Sequence, residues 1–321
     1  MKYFICIIVL FICELIYFKI AKHFNIIDKP NERSSHTRTT LRGGGIIFYI
    51  GMLIYFIASN FAYPWFFAGL TLITFISFVD DIHSIAQNKR LIFHFAAMTL
   101  MFYQLNLFTR QSWWLSIIAL ILCIGAINAY NFMDGINGIT GGYSLVMLVA
   151  LAYVNEHIIH FVDIDFIRAA ALAVFVFCFF NFRKHAKSFA GDVGSLSIIF
   201  IILFLLGKLM LLTKDFSWLT FLVVYGTDTG LTGLHRLILH ENLGLPHRKH
   251  AYQIMANELK IPHVAVSIIY MSLQAAIDTY YIYRPGYITF VVSICILSVA
   301  YAIFIKKYYH LHRESLNAIP E

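Results

Sequence analysis

Long unbroken apolar runs dominate the chain, and strict alternation of apolar and polar residues is absent. The runs fall at roughly 3–22, 43–63, 65–79, 91–109, 113–130, 139–155, 166–182, 194–212, 217–238, 262–282 and 286–305. A helix needs about 20 apolar residues to cross the hydrocarbon core of a bilayer, whereas a membrane β-barrel uses alternating strands of about ten. The pattern predicts an all-α polytopic integral membrane protein with ten or eleven transmembrane helices, the third and sixth runs being the shortest. Residues 1–321 read as a single transmembrane catalytic domain, with no internal repeat. The first run has no small-residue cleavage site after it, and Lys19 and Lys22 follow its core, so it reads as a retained helix.

Composition narrows the class further. Hydrophobic residues make up 60% of the chain and charged ones 13%, against 45–50% and about 25% in an ordinary soluble domain. Soluble, disordered, collagen-like and disulfide-stapled readings are excluded. The five cysteines all lie inside apolar runs without metal-ligand spacing and read as small buried hydrophobes.

The net charge of +7 resides in the loops and does not indicate nucleic acid. One set of connections carries Lys22, Lys29, Arg33, Arg38 and Arg42, then Lys89 and Arg90, then Arg183, Lys184 and Lys187. It continues with Arg236, Arg248, Lys249 and Lys260 and ends with Lys306, Lys307 and Arg313. The opposite set holds only Lys2, Arg110, Arg168, Lys214 and Arg284. Seventeen against five predicts that the first side is cytoplasmic, with the N-terminus outside and the C-terminus inside.

The unusual polar residues gather on that side. Asp80 and Asp81 end the third run in FVDDIHSI. Helix neighbours point about 100° apart, so both can face one site only near a helix end. In INAYNFMDGINGITGG, Asn128, Asn131, Asp134 and Asn137 recur every three residues. On a continuing helix they form one polar row, which must meet water, a ligand or a partner. FAGDVGS places Asp192 between glycines at the start of the eighth run. Gly191, Gly194 and Ser195 could offer N–H groups to an anion there, or Asp192 could cap the helix. LPHRKHAYQ gathers His247, Arg248, Lys249 and His250, which suit a phosphate clamp better than zinc, since no second ligand pair exists. The first loop, KPNERSSHTRTTLRGGG, reads as a further anion contact or a lid.

Two carboxylates at ~6 Å repel by about 3 kcal/mol at an effective dielectric of ~20. Gathering Asp80, Asp81, Asp134 and Asp192 therefore predicts a counter-charge, and oxygen ligands favour magnesium or manganese. A divalent cation and basic loops at a membrane interface suggest phosphoryl transfer from a nucleotide-linked substrate to a lipid phosphate. A transporter or flippase of an anionic lipid-linked substrate is the alternative, although it would not need so many carboxylates on one face. A CDP-alcohol phosphatidyltransferase would require a DGxxAR motif, which is absent.

In chain order, DD at 80–81, NAYNFMDGINGI at 128–139, FAGDVGS at 189–195 and HRKHAYQ at 247–253 resemble the polyprenyl-phosphate N-acetylhexosamine-1-phosphate transferases, a superfamily of glycosyltransferase family 4 type. RSSHTRTTLRGGG at 33–45 resembles its first cytoplasmic loop. The resemblance covers about residues 28–253. It implies transfer from a UDP-N-acetylhexosamine to undecaprenyl phosphate, with release of UMP, at the cytoplasmic face of a bacterial inner membrane, with a homodimer as an open alternative. It implies that Asp80 and Asp81 lie at the acceptor phosphate and the metal. Asn128, Asn131 and Asp134 contribute to the nucleotide and metal site, and Asp192 is the expected magnesium ligand. His250 and Arg248 hold the donor diphosphate, and Asn181 or its neighbours frame the nucleotide pocket. Asn137 stands where many members have a second aspartate. The usual HxHH loop is here His250, Ala251, Tyr252 and Gln253, which looks like the O-antigen-initiating branch. Leu41 replaces a common proline.

Asp228, inside the ninth run, is costly in a membrane, about 2.5–3.5 kcal/mol at a helix centre. It reads as structural, partnered with Glu14 or Lys208 and about half a span from the cytoplasmic site.

Overall fold

The structure, a computed structural model, describes residues 1–30, 35–36, 38–110, 112–242 and 247–317. Arg33, Ser34 and Thr37 of the first-loop motif, and Leu245 and Pro246 of LPHRKHAYQ, lie outside the described residues.

Every predicted run contains a helix. These are α1 (Lys2–His23), α2 (Ile46–Ala58), α3 (Pro64–Ile82), α4 (Gln87–Gln104) with a short α5 (Leu107–Arg110), α6 (Trp113–Met133) and α7 (Ile139–His157). Then come α8 (Ile164–Asn181), α9 (Gly191–Thr213), α10 (Val223–Ile238), the three-residue α11 (Ala251–Gln253), α12 (His263–Tyr283) and α13 (Tyr287–Asn317). The only strands among the described residues, β1 (Ile27–Asp28) and β2 (Thr40–Leu41), pair antiparallel in the first loop. The protein is a multi-pass all-α membrane protein. Among the described residues, seven helices are long and apolar enough to cross a bilayer.

The lengths differ from expectation in instructive ways. The second run, read as 43–63, yields the 13-residue α2. The third and sixth, expected to be shortest, yield 19 residues each. Gly43–Gly45 do not start a long helix because their backbone pairs with another loop. Gly44 N donates to Phe189 O and Gly45 N to Ala190 O, at 2.9 and 3.1 Å. The ninth run opens as a 3-10 turn, Phe216–Leu222, before α10. A turn of that kind frees backbone groups that lipid cannot satisfy. Gln274 on α12 takes them up, donating to Thr220 O at 3.0 Å and accepting from Val224 N at 3.2 Å.

α9 forms the middle of the bundle. Val193 to Leu206 are all buried, as an all-round apolar helix requires. α1, α6 and α13 instead keep broad apolar faces exposed, Ile121 on α6 and Ile288 on α13 among them. Such faces need lipid.

The loops sort to the two ends as the charge pattern grouped them. Lys2 and Tyr3 at the start of α1 meet Asp165 of α8, each at 2.6 Å, and Arg168 pairs with Glu156 at the same end. Arg42, Arg183 and His250 are carried by connections, and Arg90 by the first turn of α4, at the opposite end.

Candidate active site

Two loops distant in sequence zip together at this end. Phe189 N donates to Leu41 O at 2.8 Å, continuing the Gly44 and Gly45 bonds. Gly45 packs directly on α9, where an added Cβ would lie 2.2 Å from the Gly194 Cα. Arg42 is thereby held beside the start of α9.

The carboxylates and arginines interlock there. Arg42 Nε lies 2.7 Å from Asp81 Oδ1, and its Nη2 lies 3.2 Å from Asp192 Oδ1. Arg90 Nη1 reaches Asp80 Oδ2 at 2.8 Å and Asp192 Oδ2 at 3.2 Å. These two arginines supply counter-charge to Asp80, Asp81 and Asp192. Sequence reasoning had counted both only as loop charge.

The adjacent aspartates diverge. Asp80 accepts from Ile85 N at 2.6 Å. The Asp81 side chain is fully buried and accepts from Asp192 N at 2.9 Å and Val193 N at 3.0 Å. The anion at the N-terminus of α9 is therefore Asp81 itself, in the place left open for a ligand or for capping by Asp192. Gly191, at φ +71°, is required here, since a Cβ would come 2.4 Å from Asp81 Oδ2.

The expected single row of Asn128, Asn131, Asp134 and Asn137 is broken, because α6 ends at Met133. Asn128 is exposed on the helix. Asn131 donates to Ser195 Oγ at 3.0 Å. Asp134 accepts from Thr140 Oγ1 at 2.6 Å, and burial pushes its carboxyl up to about 6. Asn137 turns inward and donates to the carbonyls of Arg183 and Lys184 at 2.9 and 3.2 Å. Asn181 accepts from Gly138 N at 2.7 Å and donates to Ser188 O at 2.8 Å. The side-chain amides of Asn137 and Asn181 thus join the turn after α6 to the α8–α9 connection.

A cavity of about 310 Å³ opens among these groups, with Arg42, Asn131, Asp134, Asn137, Asp192 and Gln253 on its wall, and with Asn181 there too. Asp80, Asp81, Asn128, Arg248 and His250 are not on that wall. Phe189, Gln253 and His263 are; the first two lie inside quoted motifs, and no sequence signal marked His263.

The 247–253 segment differs from a cluster of four cations. Burial, with His250, Arg236 and Lys249 nearby, pushes His247 down to about 3, so it is neutral. Lys249 pairs with Glu241. His250 is buried, and its Nδ1 lies 3.3 Å from Asp228 Oδ1. Asp228 was expected to pair with Glu14 or Lys208 and to stand apart from the site. It is bound to the motif loop instead, because that loop folds back into the bundle over α10.

No group of three or more His, Cys, Asp or Glu side chains forms a metal cage among the described residues. Asp134 and Asp192 nevertheless share one cavity wall with Asn131. Magnesium is commonly held by one or two carboxylates together with substrate phosphates and water. This donor set fits a cation that arrives with a diphosphate.

A helical bundle with an arginine–carboxylate cavity at one end has the build of a membrane-embedded phosphotransferase. The glycosyl transferase family 4 profile matches residues 63–210. A Bacillus subtilis protein named as a probable undecaprenyl-phosphate N-acetylglucosaminyl 1-phosphate transferase is 24% identical, over 79% of this chain and 76% of its own length. An Escherichia coli O157:H7 undecaprenyl-phosphate alpha-N-acetylglucosaminyl 1-phosphate transferase is 27% identical, over 59% and 56%. A Listeria welshimeri phospho-N-acetylmuramoyl-pentapeptide-transferase is 28% identical, over 53% and 60%. The chain thus spans little more than half the length of the last two. These matches bear out the resemblance that the motifs carry: over the matched residues the chain is similar to undecaprenyl-phosphate sugar 1-phosphate transferases.

Proposed function

We propose that this single catalytic domain transfers an N-acetylhexosamine 1-phosphate from a UDP-sugar to undecaprenyl phosphate. UMP is released, and the product starts a lipid-linked surface polysaccharide such as O-antigen. The observation that carries the reading is the placement of Arg42, Asp134 and Asp192 on one cavity at a membrane-facing end of the bundle. Arginine forks match phosphate oxygens, and carboxylates suit a divalent cation bridging them.

In the direct route, an acceptor phosphate oxygen forms a bond to the donor β-phosphorus. The bond from that phosphorus to the bridging oxygen breaks, and its electron pair leaves with UMP. Arg42 and Arg90 release part of their carboxylate pairing to bind phosphate oxygens. Asp80 stands beside Arg90 as the group nearest an incoming acceptor phosphate, and Asp81 holds Arg42 and the start of α9. Asp134 and Asp192 would hold magnesium, or manganese, which neutralises and orients the diphosphate when bound. Asn131 orients the nucleotide side of the cavity. A covalent aspartyl-phosphate route uses the same groups.

Purified protein given undecaprenyl phosphate, magnesium and a panel of UDP-N-acetylhexosamines should release UMP and form a lipid product of the matching mass. Excess EDTA should abolish release, and magnesium should restore it. A protein that binds both substrates yet never releases UMP is a transporter. We also propose that the site faces the cytoplasm of a bacterial inner membrane. A reporter fused after Arg313 should then be cytoplasmic, and a tag at 158–162 should be reached from outside. The reverse labelling would put the site on the wrong side for nucleotide sugars.

A further inference from the structure

Asp228 meets four polar groups on three separate parts of the chain. Its Oδ1 faces His250 Nδ1, Ala251 N and Thr232 Oγ1 at 3.3, 3.2 and 3.1 Å. Its Oδ2 accepts from the Tyr270 hydroxyl of α12 at 2.5 Å. The side chain is 4% exposed. Two of the four groups belong to the 247–253 segment, although holding α10 to α12 requires neither.

The segment passes this constraint to the cavity. His250 N donates to Gln253 Oε1 at 3.3 Å, and Gln253 stands on the cavity wall. Tyr252 donates to Phe132 O at 2.8 Å, just before Asp134. The Tyr252 hydroxyl leaves no room at Gly135, where a Cβ would come within 2.3 Å of it. His250 Nδ1 lies against Asp228 Oδ1, so the carboxylate and the ring are in direct contact. The other ring nitrogen is buried without a partner among the described residues. The ring is held at Nδ1 alone, where it meets Asp228 and also the Gln253 N–H in the capping box that starts α11.

We propose that Asp228 is a positioning residue for the donor side of the cavity, acting through His250 and the Ala251 N–H to set the 247–253 segment against Gln253 and Asp134. This rests on reading that segment as part of a UDP-sugar site. Asp228 touches no substrate and carries no reacting atom.

Asp228→Asn separates positioning from simple packing. The amide oxygen can meet the same three groups, and the amide NH2 can donate to the Tyr270 oxygen. The contacts persist in kind while the charge that faces His250 is lost. Charge-assisted bonds are roughly twice as strong as neutral ones. The expected result is a KM for the UDP-sugar about tenfold higher, with melting temperature and the KM for prenyl phosphate near wild type. UMP affinity by calorimetry should fall by the same factor. His250→Ala should raise the donor KM as well, and adding Asp228→Ala to it should change little more. Unchanged donor KM and UMP affinity in Asp228→Asn overturn the proposal. So does a variant that melts lower and loses kcat with both KM values intact. A wild-type protein that neither binds UMP nor releases it overturns the UDP-sugar reading instead.

Discussion

Asp192→Asn is expected to lose turnover by about 100-fold or more while the protein still inserts and stays folded. The size follows from the chemistry of the cavity. An amide is a far weaker ligand for a hard cation than a carboxylate, and about 3 kcal/mol of lost stabilisation corresponds to about a 100-fold loss. The fold should survive because Asp192 is not the sole partner of either arginine. Arg42 retains Asp81 at 2.7 Å, and Arg90 retains Asp80 at 2.8 Å. UMP release per folded molecule, measured beside a melting curve, checks both halves. Near wild-type turnover would remove Asp192 from the reaction and favour a site deeper in the membrane.

Asp81→Asn should show the opposite balance, with the larger loss in stability. Asp81 is fully buried, and it holds Arg42 together with two N–H groups at the start of α9. An asparagine can accept from those N–H groups through its oxygen alone, and its NH2 faces donors. Breaking a fully buried ion pair costs about 3–5 kcal/mol. Arg42 is one-third exposed and keeps Asp192, so the loss here should fall at or below the low end of that range. The melting temperature should fall more than in Asp192→Asn, with active protein lost in proportion. Arg42→Met combined with Asp81→Asn should recover part of the melting temperature, since no guanidinium then faces the new amide. A stable Asp81→Asn protein that is simply inactive would return Asp81 to the chemistry, as the sequence reading had it.

The contrast between these neighbours shows what a motif can and cannot convey. The spacing DD…NxxNxxDG…GD pointed to segments that the fold brings together at one end of the bundle. It could not separate Asp80 from Asp81, because adjacent side chains leave a helix in different directions and only a packed neighbour decides what each one meets. The period-three row from Asn128 failed for a related reason. α6 stops at Met133, so a helical register does not extend to Asn137.

The sequence by itself determined the membrane class, the places of the helical segments, read as ten or eleven, and the grouping of their loops into two ends. Apolar runs and loop charge act locally and require no knowledge of neighbours. It also marked Asp134 and Asp192, because ionisable residues at the edge of apolar helices are rare enough to be conspicuous. The tertiary structure alone decided that Arg42 and Arg90 neutralise the aspartates, that Asp81 caps α9, and that Asp228 anchors His250. Each of these is a contact between residues 10 to 150 positions apart. Three of them lie where the glycine loop pairs with 188–190 or the 247–253 segment meets α10. A buried charge takes whichever partner the packing brings within reach, and no periodicity in the chain records which one that will be.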